Sequence, residues 1–221
     1  MSHIFTLGTD DTVFINGARL DPLAWRTDAP VPAGTGQPVS AQVAMKALSR
    51  RFPLRHLVVG VIGPREATAA QVSTAEALGE ALGVLGVTVI CGGRSGVMEA
   101  VCKGVSAAGG LAIGILPGST PDEANPFVGI PLPTGLGEAR NMIIAKSARV
   151  LIAVGGSYGT LTEVAYGLHF GKAVIGLSDA PRVEGVQHAD SVGAAIRLML
   201  EALAAAAIAA GQAPDCKSSS R

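Results

Sequence analysis

The stretch Ala153-Val154-Gly155-Gly156-Ser157-Tyr158-Gly159-Thr160-Leu161-Thr162-Glu163 joins a short apolar run, residues 150–154, to an amphipathic one, residues 161–170. An apolar run of strand length, a glycine-rich turn and a helical period, in that order, define a strand, a loop and a helix start. Gly155, Gly156 and Gly159 let the backbone bend sharply and approach a ligand with no Cβ in the way. The first turn of the helix offers unpaired N–H groups and the positive end of the helix dipole, so the loop is expected to hold phosphate or another anion. Glu163 stands about one helical turn inside, where an acid can face a ligand held by the loop. Two readings of it stay open: it complements the helix dipole, or it acts on what the loop binds.

Two upstream segments repeat the pattern. Gly135-Leu136-Gly137-Glu138-Ala139-Arg140-Asn141-Met142-Ile143-Ile144 reads as a loop running into a helix that ends before the strand at Val150. Cys91-Gly92-Gly93-Arg94-Ser95-Gly96-Val97-Met98-Glu99 follows an apolar strand at 87–90 and opens another helix. In an open α/β sheet such helix starts collect at the carboxyl edge of the strands, where ligands bind. Arg140 and Asn141 are therefore expected in the same crevice as Glu163. A cation near a helix start is mildly unfavourable, which points Arg140 at a phosphate or at Glu163 as partner. In the first glycine segment, Gly92, Gly93, Arg94 and Ser95 are candidates for contact with phosphate or ribose; a packing role for the glycines, with Arg94 in solvent, is the alternative. Arg65, at the end of the strand carrying Gly60 and Gly63, is a further candidate.

From residue 55 the alternation is regular, with strands expected near 57–62, 87–91, 111–116, 128–132, 149–154 and 173–177. Helices are expected near 68–84, 96–108, 138–147, 160–170 and 189–209. This predicts a Rossmann-like, doubly wound, mostly parallel sheet over 55–210. The aperiodic segment 117–129, with Pro121, Asp122, Glu123 and Pro126, is the expected mobile flap over the crevice. Residues 1–54 form a small appendage: a hairpin about Asn16-Gly17, a connector with prolines 22, 30, 32 and 38, and a helix over 41–51 capped by Ser40. The tail 211–221 has little apolar content and is expected to be disordered.

Of the 221 residues, 48% are hydrophobic and only 4% aromatic, enough for one main core of Val, Ile, Leu and Ala. Lys plus Arg and Asp plus Glu number 17 each, which removes the electrostatic footprint of a general nucleic-acid binder, so anion recognition must be local. Residues 1–11 have neither a basic start nor an extended apolar run, and the run 202–210 is too short to span a bilayer; a cytoplasmic address without membrane contact is expected. Cys91, Cys102 and Cys216 lack metal-ligand spacing and cannot all pair, and His3, His56, His169 and His188 are scattered, so no metal site is expected. Cys91 has no histidine near it in sequence and is read as an inert buried thiol.

Over residues 55–205 these motifs resemble the superfamily of Lonely Guy cytokinin-activating phosphoribohydrolases and molybdenum cofactor carrier proteins. Its pattern Pro-Gly-Gly-x-Gly-Thr-x-x-Glu falls without a gap on 155–163, with Gly155 at the proline and Ser157 at the second glycine. The phosphoribohydrolases carry Arg-Lys where this chain has Arg140-Asn141, and the form Gly135-Leu136-Gly137-Glu138-Ala139-Arg140-Asn141 is closer to the carriers. The common label of possible lysine decarboxylase does not fit, because no pyridoxal-phosphate lysine site is recognisable. The resemblance implies a carrier of a phosphate-bearing ligand, the molybdenum cofactor, with a molybdoenzyme acceptor as partner. Gly155, Gly156, Ser157, Tyr158, Gly159 and Thr160 would form the phosphate loop, Arg140 would add charge, and Asn141 and Glu163 would orient the remainder. The alternative is a hydrolase of the N-glycosidic bond of nucleoside 5′-monophosphates, with Arg140 and Glu163 catalytic. A homodimer is also implied, joined through helices whose apolar faces carry Met142, Ile143 and Ala145 on one and Leu161, Val164, Ala165 and Leu168 on the other.

Overall fold

A computed structural model describes residues 3–30 and 36–213. The chain divides into two compact units, Pro53–Met199 and the segments on either side of it. In the flanking unit, β1 (Phe5–Leu7), β2 (Val13–Ile15), β3 (Ala18–Asp21), β4 (Arg26–Pro30) and β5 (Gln37–Val39) form an antiparallel sheet in the order β4-β3-β2-β1-β5. The expected hairpin is β2–β3: Asn16 and Gly17 take φ of 51° and 80°, the left-handed pair that a type I′ turn requires. The sheet is larger than a hairpin. Parts of the proline-rich connector enter it as β4 and β5, which are its two edges; Pro30 and Pro38 are tolerated there because an edge strand can spare an N–H. Helix α1 (Ala41–Arg51) follows, its start capped by Ser40 Oγ accepting from the Val43 N–H at 3.2 Å.

The larger unit holds a seven-stranded sheet, all pairs parallel, in the order β12-β11-β10-β6-β7-β8-β9. In chain order its elements are β6 (Val58–Ile62), α2 (Ala69–Val84), β7 (Thr88–Cys91), α3 (Val97–Ala107), β8 (Leu111–Leu116), β9 (Ile130–Pro133), α4 (Arg140–Ser147), β10 (Val150–Val154), α5 (Tyr158–His169), β11 (Ala173–Leu177), β12 (Val186–His188) and the first turns of α6 (Val192–Gln212), which passes into the flanking unit at Leu200. This is the Rossmann-like α/β architecture that the strand–helix alternation predicts. β12 was not foreseen, because its three residues include the polar Gln187 and His188 and carry no apolar run. β10 is buried over its whole length, as the continuous run Val-Leu-Ile-Ala-Val requires of a strand covered on both faces. Ile144 of α4 and Val164 of α5 are buried with Leu151 and Val174, which fixes the two helices on the strands they join.

Four expectations change. Segment 117–129 is anchored at Asn125, which is buried and whose Nδ2 donates to the carbonyls of Gly93 (3.1 Å) and Arg94 (3.0 Å), while residues 119–123 stay exposed. Residues 200–213 group with the N-terminal strands and not with the parallel sheet; the buried Trp25 indole donates to Leu203 O at 2.8 Å. Gly211 and Gln212, taken as the start of a disordered tail, complete α6, while 214–221 lie outside the described residues, Cys216 among them. Helix α6, 21 residues long with a most apolar window of mean hydropathy 1.8, meets the length and composition of a membrane span, contrary to the reading of 202–210 alone. Its buried residues, Ala194, Ala195, Ile196, Met199, Leu200, Leu203, Ala204 and Ala207, recur with a helical period, the stripe of a helix packed on one side.

Candidate functional site

The strand order reverses between β6 and β10: the chain winds outward from β6 through β7, β8 and β9, then crosses to the other side for β10. Helix starts after neighbouring strands diverge at such a point and leave a crevice at the carboxyl edge. A cavity of about 430 Å³ lies there, lined from the β6 end by Gly63 and Arg65, from the β7 end by Gly92 and Met98, and from the approach to α4 by Glu138, Arg140 and Asn141. Ser157, Tyr158, Gly159, Thr160, Thr162 and Glu163 of the loop and first turns of α5 close it. The size suits a ligand of nucleotide or pterin dimensions.

The loop is shaped by its own hydrogen bonds. Ser157 Oγ accepts from the Thr160 N–H at 3.3 Å and lies 3.1 Å from Thr160 Oγ1, so it serves as the N-cap of α5. A glycine at this place, having no side chain, could not cap in this way. Gly155 sits at φ 65°, its N–H donates to Leu177 O at 3.0 Å, and a Cβ there would run into the Gln71 side chain. Gly159 faces open space, with Ser157 Oγ the nearest atom to an added Cβ at 3.7 Å.

Arg140 is 4% exposed. Its Nε donates to Ile115 O at 2.9 Å, and Nη1 donates to Gly137 O at 3.1 Å and to Glu138 Oε2 at 3.0 Å. The ion-pair partner is thus Glu138 and not Glu163, which feels Arg140 only through the field. Gly92 leaves room for this arrangement, since a Cβ there would lie 2.7 Å from Met98 Sδ and 3.2 Å from Arg140 Nη2. Asn141 Nδ2 donates to Thr162 Oγ1 at 3.1 Å and approaches Gly159 O at 3.5 Å, linking α4 to the loop of α5.

Glu163 is 7% exposed and its carboxyl takes no hydrogen bond from any described residue. Burial pushes its pKa up to about 8, against the pull of Arg140 and with a smaller upward push from Glu138. Burial thus favours the protonated, neutral form of this side chain in the cavity. Between about 4.5 and about 8 the folded chain keeps a proton that the unfolded chain has lost, so this group's contribution to stability falls as pH rises through that window and is level outside it. Urea denaturation should show the unmodified protein losing stability relative to Glu163→Gln across that range; parallel profiles would contradict the raised pKa.

Of the residues expected from sequence, Gly92, Arg140, Asn141, Ser157, Tyr158, Gly159, Thr160 and Glu163 meet at this cavity, as does Arg65. Gly155 and Gly156 shape the loop without lining it. Gly93, Arg94 and Ser95 are not brought in: Gly93, at φ 71°, makes room for Leu116 and Gly114, and Arg94 pairs with Glu123 at 3.3 Å. The Cys91 thiol lies 3.5 Å from that of Cys102, and this hydrogen bond together with burial pushes its pKa up and keeps it protonated. Glu138, Met98, Gly63 and Thr162 were missed. Only Glu138 had a signal, the acid two residues before a basic residue at a helix start.

Residues 56–204 match the model of the SLOG cluster4 family, and the chain belongs to that family, within the superfamily of Lonely Guy phosphoribohydrolases and molybdenum cofactor carrier proteins. The molybdenum cofactor carrier protein of Chlamydomonas reinhardtii is similar in structure, with 38% identity, a TM-score of 0.62 and coverage of 66% of this chain and 98% of that one. The molybdenum cofactor binding protein of the phototrophic bacterium Rippkaea orientalis matches at 37% identity and a TM-score of 0.61, over 64% of this chain and 94% of that one. An uncharacterised protein of Archaeoglobus fulgidus is 40% identical over 134 residues, 61% of this chain and 88% of its own length.

Proposed function

We propose that this protein binds the molybdenum cofactor as cargo and carries it intact to a molybdoenzyme. The observation that carries the reading is the similarity, at 37–38% identity over nearly the full length of those chains, to two proteins named for molybdenum cofactor binding or carriage. The cavity chemistry agrees with it. The buried Arg140 guanidinium and the capped first turn of α5, with the Thr160 hydroxyl, suit a phosphate monoester, and Asn141 and the protonated Glu163 offer hydrogen bonds to a polar ring system. Free, buried Cys91 and Cys102 suit a reducing compartment, and we place the protein in the cytoplasm.

A second reading, hydrolysis of nucleoside 5′-monophosphates, draws on Arg140 and Glu163 lining one cavity. In that reaction a charged Glu163 would assist water or stabilise a ribosyl cation, whereas burial favours its neutral form. The unmodified protein should release no base from nucleoside monophosphates, and Glu163→Gln should change cofactor affinity by no more than about tenfold, near 1.4 kcal/mol. Base release that disappears in Glu163→Gln would put the hydrolase in the carrier's place.

The same reading includes a homodimer. Ala145 and Val164, assigned from sequence to its faces, are buried inside the protomer, while Met142, Leu161 and Tyr166 stand 41%, 39% and 36% exposed on α4 and α5. Twofold contact of these helices would cover them. Light scattering should give twice the chain mass; a monomer mass over a broad concentration range would count against it.

A further inference from the structure

We propose that the Glu138 carboxylate is a built-in competitor for the anion subsite, held between Arg65 and Arg140 until a phosphate displaces it, and that it restricts the subsite to dianions. The inference rests on the reading that Arg140 receives the ligand's phosphate, and adds to it a residue that sets selectivity. Glu138 Oε1 accepts from Arg65 Nη2 at 3.2 Å and Oε2 accepts from Arg140 Nη1 at 3.0 Å. One carboxylate spanned by two guanidiniums is the arrangement that two arginines give an incoming oxyanion. All three residues line the cavity.

The three are not held equally. Arg140 is anchored by Ile115 O and Gly137 O, so its guanidinium keeps its place when Glu138 leaves. The Glu138 side chain is 65% exposed and that of Arg65 49%. So open a pair as Arg65–Glu138 contributes little to stability, and on the other side the buried Arg140 guanidinium keeps its two carbonyl partners when the carboxylate turns into water. The backbone around it is held, Gly135 and Gly137 donating to Gly118 O at 2.9 Å and Pro117 O at 3.0 Å, so the exposed side chain alone turns away. Arg140 is thus a fixed receptor and Glu138 a removable occupant.

Selectivity follows from the tether. A carboxylate attached next to its receptor acts at an effective concentration on the order of millimolar or above. A free monocarboxylate has the same charge and acceptors, so it gains nothing by replacing Glu138 at lower concentration. A phosphate dianion brings a second charge and a third oxygen to the same pair of guanidiniums, and so displaces the tethered group.

Calorimetric titration of the full chain with inorganic phosphate and with acetate, at a pH where phosphate is mainly dianionic, tests this in the unmodified protein and in Glu138→Gln. Phosphate should bind Glu138→Gln about tenfold more tightly, near 1.4 kcal/mol. Acetate should bind measurably only to the variant. Glu138→Asp, which keeps the charge but cannot span both arginines, should tighten phosphate binding severalfold and serves where the glutamine variant does not fold. If phosphate binds the unmodified protein and neither variant binds it more tightly, Glu138 is not a competitor and the phosphate site stands without it. If phosphate binds none of these proteins, the assignment of Arg140 as phosphate receptor fails and this inference falls with it.

Discussion

Arg140→Ala is expected to weaken inorganic phosphate binding by at least about a hundredfold, the scale found when one partner of a buried, hydrogen-bonded charge pair is truncated. The guanidinium is the one buried cationic group lining the cavity, and it is already oriented by Ile115 O and Gly137 O. Its orientation costs nothing at the moment of binding. The same substitution strips those two carbonyls of a donor, so a stability loss of about 1–3 kcal/mol is expected alongside. Arg140→Lys, which keeps the charge but not the planar fork, should fall between the two. Affinity within about threefold of the unmodified protein in a folded Arg140→Ala variant would remove this residue from the anion site.

Gly155→Pro, which restores the residue of the phosphoribohydrolase pattern, is expected to destabilise the fold by about 3 kcal/mol or more. Proline needs φ near −65°, whereas Gly155 sits at φ 65°; its ring would also cost the hydrogen bond to Leu177 O and meet the Gln71 side chain. Proline at 155 is therefore incompatible with the course of this loop's backbone. A melting temperature for Gly155→Pro equal to that of the unmodified protein would contradict this geometry.

The parallel sheet and its helices were legible because the apolar runs at 58–62, 88–91, 111–116, 150–154 and 173–177 have strand length and lie between helical periods. Local signals succeeded in the N-terminal unit too, where Asn16-Gly17 turns the hairpin and Ser40 caps α1. β4 and β5 were hidden by the prolines that mark them as edges. At the site, the loop of α5 was readable because its glycines, Ser157 and Glu163 stand at fixed intervals on one element. The pairing of Arg140 with Glu138 was not, because it depends on which way a guanidinium turns once Ile115 O and Gly137 O have bound it. The fate of Arg94 likewise depended on Glu123, twenty-nine positions on, reached only when Asn125 pins the intervening segment to Gly93.

In the function proposed, the cavity beside Arg140 and Glu163 holds an intact molybdenum cofactor and does no chemistry on it. Mass spectrometry of the small molecule retained by the gently purified full chain tests this most directly. The expected result is a phosphate-bearing molybdopterin, unaltered and lost from Arg140→Ala. A nucleoside monophosphate in its place, or ribose 5-phosphate left by a departed base, would contradict it.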